Sequence, residues 1–316
     1  MAAMTDSNLP PAVFLMGPTA AGKTDVALAL ADEFPFEIVS VDAAQVYRGL
    51  DIGTAKPTLE ERRRIAHHLI DIRDPAEVYS VADFCADARR AMRQITAAGR
   101  IPLLVGGTMF YFRALQYGLP ALPGADPALR ARLLREAEAH GWGVLHDRLA
   151  ALDPDRAARI HPNDPQRTLR ALEIITLTGR PASSYGPDGA GDFPYRAVKL
   201  ALYPEDRSWL HARIARRFQD MLARGFLDEA RALFARTDVP PDAPAARTVG
   251  YRQAGLYLSG KINYDALVER AVAATRQLAK RQLTWLRADH EIVRIACDRS
   301  GVPVQARQAL FARLSL

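Results

Sequence analysis

The chain has 316 residues, 49% hydrophobic and 25% charged side chains and a formal net charge of +6. These proportions exclude a disordered or fibrous chain, and the length suffices for a full core in one large domain or two smaller ones. Two cysteines, Cys85 and Cys297, are too few and too far apart for a disulfide framework, a zinc knuckle or an iron–sulfur site, which points to a reducing compartment and so to the cytoplasm. No basic start followed by an apolar run marks a secretory leader, and no stretch of about 18 apolar residues offers a membrane span.

Residues 13–17 read as a short buried strand, and residues 23–33 as a helix with Ala and Leu on one face. Residues 37–41 form a second strand ending at Asp42. Residues 83–98 are helical, residues 101–105 are another apolar strand, and Gly106-Gly107-Thr108 turns into a helix over 109–117. Apolar, non-alternating strands that alternate with helices predict a parallel α/β sheet covered on both faces. The pattern changes in the Pro-rich stretch at 119–124. Helices alone follow, at 127–139, 142–151 and 165–178, the last with Asp164 as N-cap and Pro165 at its first position. A Pro/Gly/Ser loop covers 181–194, and a strand returns at 197–203. The remainder is helical: 205–236, broken at Gly225, then 248–259 and 264–288. The expected organisation is a catalytic α/β core from 1–119 and 195–316, with a helical insertion at 120–194.

Gly17, Pro18, Thr19, Ala20, Ala21, Gly22, Lys23 and Thr24 fit the phosphate-loop pattern G-x-x-x-x-G-K-[ST], with a strand before it and a helix after it. Glycines let successive N–H groups turn toward phosphate oxygens, and the helix N-terminus faces the same anion. Lys23 reaches the outer phosphate, and Thr24 is the candidate Mg²⁺ ligand. The chain has 37 Arg and only 5 Lys, yet Lys occupies this position. The loop implies a diphosphate-like ligand without saying which. A nucleotide-hydrolysing motor carries an Asp after a later apolar strand, whereas here 101–105 runs into Gly-Gly-Thr. The carboxylate lies earlier, at Asp42, where strand C-termini line the ligand crevice. It suits a base that takes a proton from an acceptor, or a cap or outer Mg²⁺ contact. Thr108 can touch substrate or N-cap the helix that follows. A group-transfer enzyme results, either a small-molecule kinase or an enzyme that moves what the diphosphate carries.

Charge separates these. Residues 1–200 hold 23 basic and 24 acidic side chains, residues 201–316 hold 19 and 12. At 100° per residue Arg213, Arg217 and Arg224 share one helical stripe, and Arg276, Lys280 and Arg287 repeat it on the last helix. Arg247, Tyr251 and Arg252, Gln166, Arg167 and Arg170, and Trp285 add charge and rings. Such a set suits a phosphate backbone and stacked bases; some of these arginines can instead meet a departing diphosphate.

Taken together, the motifs resemble the bacterial tRNA dimethylallyltransferases (isopentenyltransferases) nearly end to end. They include GPTAAGKT at 17–24, YRGLDIGTAKP at 47–57, HHLIDI at 67–72 and YSVADF at 79–84. IPLLVGGTMFYFRAL follows at 101–115, RIHPNDPQRTLRALEI at 159–174, RTVGYRQ at 247–253 and ATRQLAKRQLTWLR at 274–287. The phosphate loop alone is unspecific; its combination with DIGTAKP, HPNDPQR and KRQLTWLR is not.

The resemblance implies a phosphate-loop NTPase-like sheet with a helical insertion. It implies transfer of the dimethylallyl group from dimethylallyl diphosphate to N6 of adenosine 37, in tRNAs that read codons starting with U. The products would be N6-isopentenyl-adenosine and diphosphate, with Mg²⁺ as cofactor. Asp42 would hold and deprotonate N6, while Thr19 and Lys23, with Arg217 or Arg224, would stabilise the departing diphosphate. The adenosine would leave its stack and enter from one side, the donor from the other. Implied tRNA contacts are Asp42, Ala43, Ala44 and Gln45; Thr108; Arg130; Gln166, Arg167, Thr168, Leu169 and Arg170; Arg247, Thr248, Val249, Gly250, Tyr251 and Arg252; and Lys280, Arg281, Gln282, Leu283, Thr284, Trp285, Leu286 and Arg287. The insertion would grip the anticodon stem-loop.

Two departures stand out: Ala43 and Ala21 replace serines frequent in the family, and the first removes a possible hydroxyl contact to the adenosine. Eukaryotic members carry a C-terminal zinc finger, for which this sequence has no Cys/His set, so core and insertion alone are expected to hold the RNA. A monomer is expected, with no long apolar stripe left over. A nucleoside- or shikimate-like kinase and an adenylate isopentenyltransferase remain the alternatives. Neither has a use for the basic segments.

Overall fold

The computed structural model describes residues 9–186, 189 and 191–314. It divides into two compact units, 1–115 with 194–316, and 116–193. The first holds a six-stranded sheet, every pair parallel. Its strands are β1 (Pro11–Met16), β2 (Phe36–Val41), β3 (His67–His68), β4 (Ile101–Gly106), β5 (Arg196–Tyr203) and β6 (Val293–Ala296), in the order β3-β2-β4-β1-β5-β6. The central strands are apolar on both faces, so helices must cover both. Val13, Leu15, Val39, Leu103, Leu104 and Leu200 are fully buried.

The connecting helices begin at strand C-termini. α1 (Lys23–Ala31) follows β1, and Gly22, in the left-handed region at φ 92°, is its N-cap. α2 (Leu59–Arg64) and α3 (Val81–Ala97) both start in capping boxes, Thr58/Glu61 and Ser80/Asp83. α4 (Met109–Tyr117) follows β4, and the first unit ends within it.

The second unit contains α5 (Pro127–His140), α6 (Trp142–Leu152), α7 (Pro154–Ala157) and α8 (Pro165–Thr178). Leu133, Leu145, Leu149 and Leu172 lie at the centre of its own apolar cluster. Asp126 and Asp164 cap α5 and α8, each followed by Pro at the first turn, as the 165–178 reading anticipates.

After β5 the first unit resumes with α9 (Arg207–Ala223) and α10 (Phe226–Phe234), separated by left-handed Gly225 at φ 95°. α11 (Tyr251–Leu258), α12 (Tyr264–Ala288) and α13 (Val302–Leu314) complete it. The sequence reading has no counterpart for α2, β3, α7, β6 or α13. β3 is only two residues long, and β6 (Val-Arg-Ile-Ala) is a short edge strand with one fully buried side chain. Neither carries a periodic signal. No helix among the described residues is long and apolar enough to cross a membrane.

Candidate active site

A cavity of about 1090 Å³ opens above the C-terminal ends of β1, β2 and β4 in the first unit, where parallel sheets place their ligands. Its lining begins with the phosphate loop. Lys23 Nζ donates to the Gly17 and Pro18 carbonyls at 3.0 and 2.8 Å, curled over the loop. Burial, and then neighbouring Arg217, lower the Lys23 pKa to about 8. Arg213 Nε donates to the Ala20 carbonyl at 2.8 Å, so α9 is tied to the loop. Arg217, four residues on, is also lowered by burial, while Asp42 pulls it upward and Arg213 presses it further down. Lys23, Arg213 and Arg217 therefore concentrate positive charge around a loop already rich in N–H donors, an arrangement fit for a diphosphate.

Asp42 follows β2. Its Oδ1 accepts from the Ala44 and Gln45 N–H groups at 2.8 and 3.3 Å, so the capping role occupies one oxygen. Among the described residues Oδ2 has no hydrogen bond, and the carboxylate lines the cavity within electrostatic reach of Lys23 and Arg217. The cap thus occupies Oδ1 and leaves the second oxygen of the side chain to the cavity. Thr108 Oγ1 accepts from the Ala43 N–H at 3.2 Å. Ser40 Oγ donates to Gln45 Oε1 (2.9 Å), and Gln45 Nε2 donates to the Thr54 and Ala55 carbonyls. Residues 42–45 are a braced shelf.

Gln282 has a role that its place in a run of implied RNA contacts conceals. It is buried, accepts from the Thr19 N–H at 2.9 Å and donates to the Gly107 carbonyl at 2.8 Å. One α12 side chain thus links the phosphate loop to the Gly-Gly-Thr turn that holds Ala43. Close backbone approach is needed there: a Cβ on Gly106 would overlap the Val41 carbonyl.

Other implied contacts separate by exposure. Arg247, Thr248, Val249, Gly250, Arg281 and Trp285 line the cavity, with Phe110, which lies in the 101–115 motif but was not among the implied contacts. Arg113 stands over the Trp285 ring at 6.0 Å. Arg252, Thr284, Lys280 and Arg287 are exposed outside it. Tyr251 belongs to the core. It is fully buried and donates to Glu229, whose oxygens also accept from the Asp51, Ile52 and Gly53 N–H groups at 2.7–2.9 Å. Its ring is unavailable to a base. Leu283 and Leu286 are likewise buried.

Arg224 is a correction of a different kind. The stripe rule puts it in line with Arg213 and Arg217, but α9 ends at Ala223. Arg224 is an exposed C-cap and does not line the cavity. Arg213 takes the place beside the loop; its signal was the i, i+4 spacing to Arg217.

In the second unit Gln166 and Arg167 are exposed, Thr168 is fully buried and Leu169 packs on the apolar cluster. Arg130 and Arg170 converge on Glu173, which has no exposed surface. Arg130 donates to both carboxylate oxygens at 2.9 Å, Arg170 to Oε2 at 2.6 Å and the Asp126 N–H to Oε1 at 2.8 Å. These partners hold the Glu173 carboxyl below the usual range despite burial. The arginines remain 40% and 31% exposed and so present a fixed pair of guanidinium edges to solvent.

The fold and this site define a phosphate-loop group transferase: an anion-suited loop beside a carboxylate that lines the same cavity, on a parallel α/β sheet. Residues 45–289 match the family model for IPP transferase, and 11–78 that for isopentenyl transferase. The tRNA dimethylallyltransferase of Thioalkalivibrio sulfidiphilus is 59% identical over 280 residues, 88% of each chain. That of Alkalilimnicola ehrlichii is 55% identical over 99% of this chain and 97% of its own. Among solved structures, the tRNA isopentenylpyrophosphate transferase of Bacillus halodurans is 38% identical, with a TM-score of 0.70 over 96% of this chain and 95% of that one. A eukaryotic dimethylallyltransferase acting on tRNA is 28% identical, with a TM-score of 0.76 over 96% of this chain and 78% of that one. The chain belongs to the tRNA dimethylallyltransferase (IPP transferase) family.

Proposed function

We propose that this protein transfers the dimethylallyl group of dimethylallyl diphosphate to N6 of adenosine 37 in tRNAs reading codons that start with U, as a cytoplasmic monomer. The observation that carries the reading is the unbonded Oδ2 of Asp42 in one cavity with Lys23, Arg213 and Arg217. N6 attacks C1 of the allyl group, the C1–O bond breaks, and its electron pair leaves with the diphosphate. The N6 proton passes to Asp42 Oδ2. Charge developing on the leaving group meets the loop N–H groups, Lys23, Arg217 and Arg213. Thr108 and Gln45 keep the shelf that presents Asp42 in place. Phe110 and Trp285 offer faces for bases displaced when the adenosine enters.

The chain offers Mg²⁺ little of its own: no group of three or more His, Cys, Asp or Glu among the described residues could hold a metal. The residue that would hold a magnesium ion is Thr24, through its hydroxyl beside the phosphate loop. Bound there, it would neutralise diphosphate charge.

The test is transfer of radiolabelled dimethylallyl diphosphate into unmodified tRNA, with Mg²⁺ and without ATP, with AMP as a competing acceptor. Label in tRNA that disappears when adenosine 37 is replaced is the expected outcome. Label in AMP alone would make the protein an adenylate isopentenyltransferase. No label in either would return it to the kinases.

A further inference from the structure

α12 has two working faces. Thr275, Leu278, Gln282 and Trp285 line the catalytic cavity. Arg276, Lys280, Leu283 and Arg287, centred about 150° around the helix at 100° per residue, line a second groove of about 360 Å³. Its other wall is α9, through Arg207, Leu210 and His211. Ala273, Gln277 and Ala279 complete the lining. The floor is apolar, since Leu210, Ala279 and Leu283 are buried, and the rim is exposed and basic.

The charge in this groove is uncompensated. No carboxylate lines it, and Arg207, His211, Arg276, Lys280 and Arg287 make no ion pair among the described residues. Glu269, seven residues before Arg276 on the same face of α12, lies outside the lining, and other nearby acids are engaged elsewhere. Asp206, the carboxylate that feels His211, accepts from the Ser208 N–H at the start of α9. Glu205 is paired with Arg299, and Asp289 and Glu291 with Lys199. Like charges held together without a counter-ion repel one another, so the arrangement favours an anion with several charges. From Arg276 to Arg287 the stripe runs about 16 Å at 1.5 Å per residue, the reach of a short run of backbone phosphates and far more than one phosphate needs.

We propose that this groove is a second RNA site, which takes the phosphate backbone of the tRNA away from the reacting nucleotide. The inference rests on tRNA being the substrate. It goes beyond that reading by joining Arg207, His211 and Gln277 to the Arg276, Lys280 and Arg287 stripe in one groove, on the side of α12 turned from the catalytic cavity. The groove adds affinity and no chemistry, because none of these side chains reaches the cavity lining.

The test is the double variant R207Q/R276Q, assayed with full-length unmodified tRNA by filter binding across a salt titration and by single-turnover transfer at saturating tRNA. The expected result is about tenfold weaker binding at low salt and a salt slope shallower by about 2, roughly 1 for each phosphate that an arginine no longer neutralises. The rate of transfer in the bound complex should be unchanged. Ala273→Glu, which puts a carboxylate on the groove wall and leaves every arginine, should weaken binding in the same way. Circular dichroism verifies that both variants fold. Unchanged affinity and slope would make the groove a solvated face and overturn the proposal. So would a slower step in the bound complex, which would mean that the stripe acts on the cavity through α12. A wild-type protein that binds tRNA with the groove's salt signature but transfers no label would instead defeat the functional reading.

Discussion

At the scale of single residues, the site rests on one carboxylate oriented by backbone amides and one lysine held in a dry, positive setting. Asp42→Asn keeps the shape of the shelf, because an amide oxygen still accepts from the Ala44 N–H. It cannot take a proton. Single-turnover transfer is expected to fall by about 10²–10⁴-fold, the usual contribution of a positioned base, with tRNA affinity by filter binding unchanged. Retained turnover would remove Asp42 from that role. Lys23, lowered to about 8 by burial and Arg217, gives a pH dependence with a definite sign. Below pH 8 the free enzyme presents an ammonium to the diphosphate; above it, the amine is neutral. Donor binding restores the charge, so it takes up a proton in that range. Affinity for dimethylallyl diphosphate measured by calorimetry should therefore weaken as pH rises past about 8, toward tenfold per unit. Lys23→Ala should bind weakly at every pH and lose this slope. An unchanged slope in the variant would assign the titration to another group.

At the scale of elements, much of the architecture is legible because its signals are local. A glycine loop between an apolar strand and a helix, proline after a capping Asp at 164–165, and a glycine that splits α9 from α10 each carry their own physical reason. What is not legible comes from contacts distant in sequence. Nothing around Gln282 says that its amide spans from Thr19 to Gly107. Nothing near Tyr251 says that Glu229 will claim its hydroxyl while gathering three amides of the Asp51–Gly53 turn. A helical stripe extrapolates past a helix end, as Arg224 demonstrates. Arg130 and Arg170 are implied contacts, but the residue that orients both is Glu173, which lies in the 159–174 motif and looks there like one more helix glutamate. Glu173→Gln leaves the two guanidiniums and the Asp126 amide without a carboxylate between α5 and α8. Because both arginines are partly exposed and can turn to water, the loss should fall below the 3–5 kcal/mol typical of a fully buried broken pair, at about 2 kcal/mol. Hydrogen exchange on α5 and α8 should report it as faster local opening, with the first unit's protection unchanged. Protection unaltered in α5 and α8 would mean that apolar packing alone holds this unit.

At the scale of the whole molecule, the decisive feature is where the excess charge goes. Many arginines of the first 200 residues are spent on carboxylates: Arg62 on Asp71, Arg64 on Asp32, Arg73 and Arg90 on Asp87, Arg130 and Arg170 on Glu173. In the last 116 residues, Arg213, Arg216, Arg217, Arg247 and Arg281 line the cavity, and Arg207, Arg276, Lys280 and Arg287 the groove behind α12, with no ion pair among the described residues. The imbalance in the sequence thus becomes two basic surfaces, built mainly on α9 and α12. A polyanion that spans both displaces counter-ions in proportion to the phosphates it places there. With about four to eight such phosphates, log affinity for tRNA should fall against log salt with a slope of about −4 to −7. That is a weakening of about 10²–10⁴-fold between 50 and 200 mM salt. Dimethylallyl diphosphate, held by the loop with Lys23, Arg213 and Arg217, carries far fewer charges than tRNA and should show a much shallower slope under the same conditions. If the two slopes were equal, the cavity arginines would serve the diphosphate only and the remaining basic faces would be solvated. A steep slope for tRNA beside a shallow one for the donor would mean that one cavity handles the leaving group while the charge around it handles the nucleic acid.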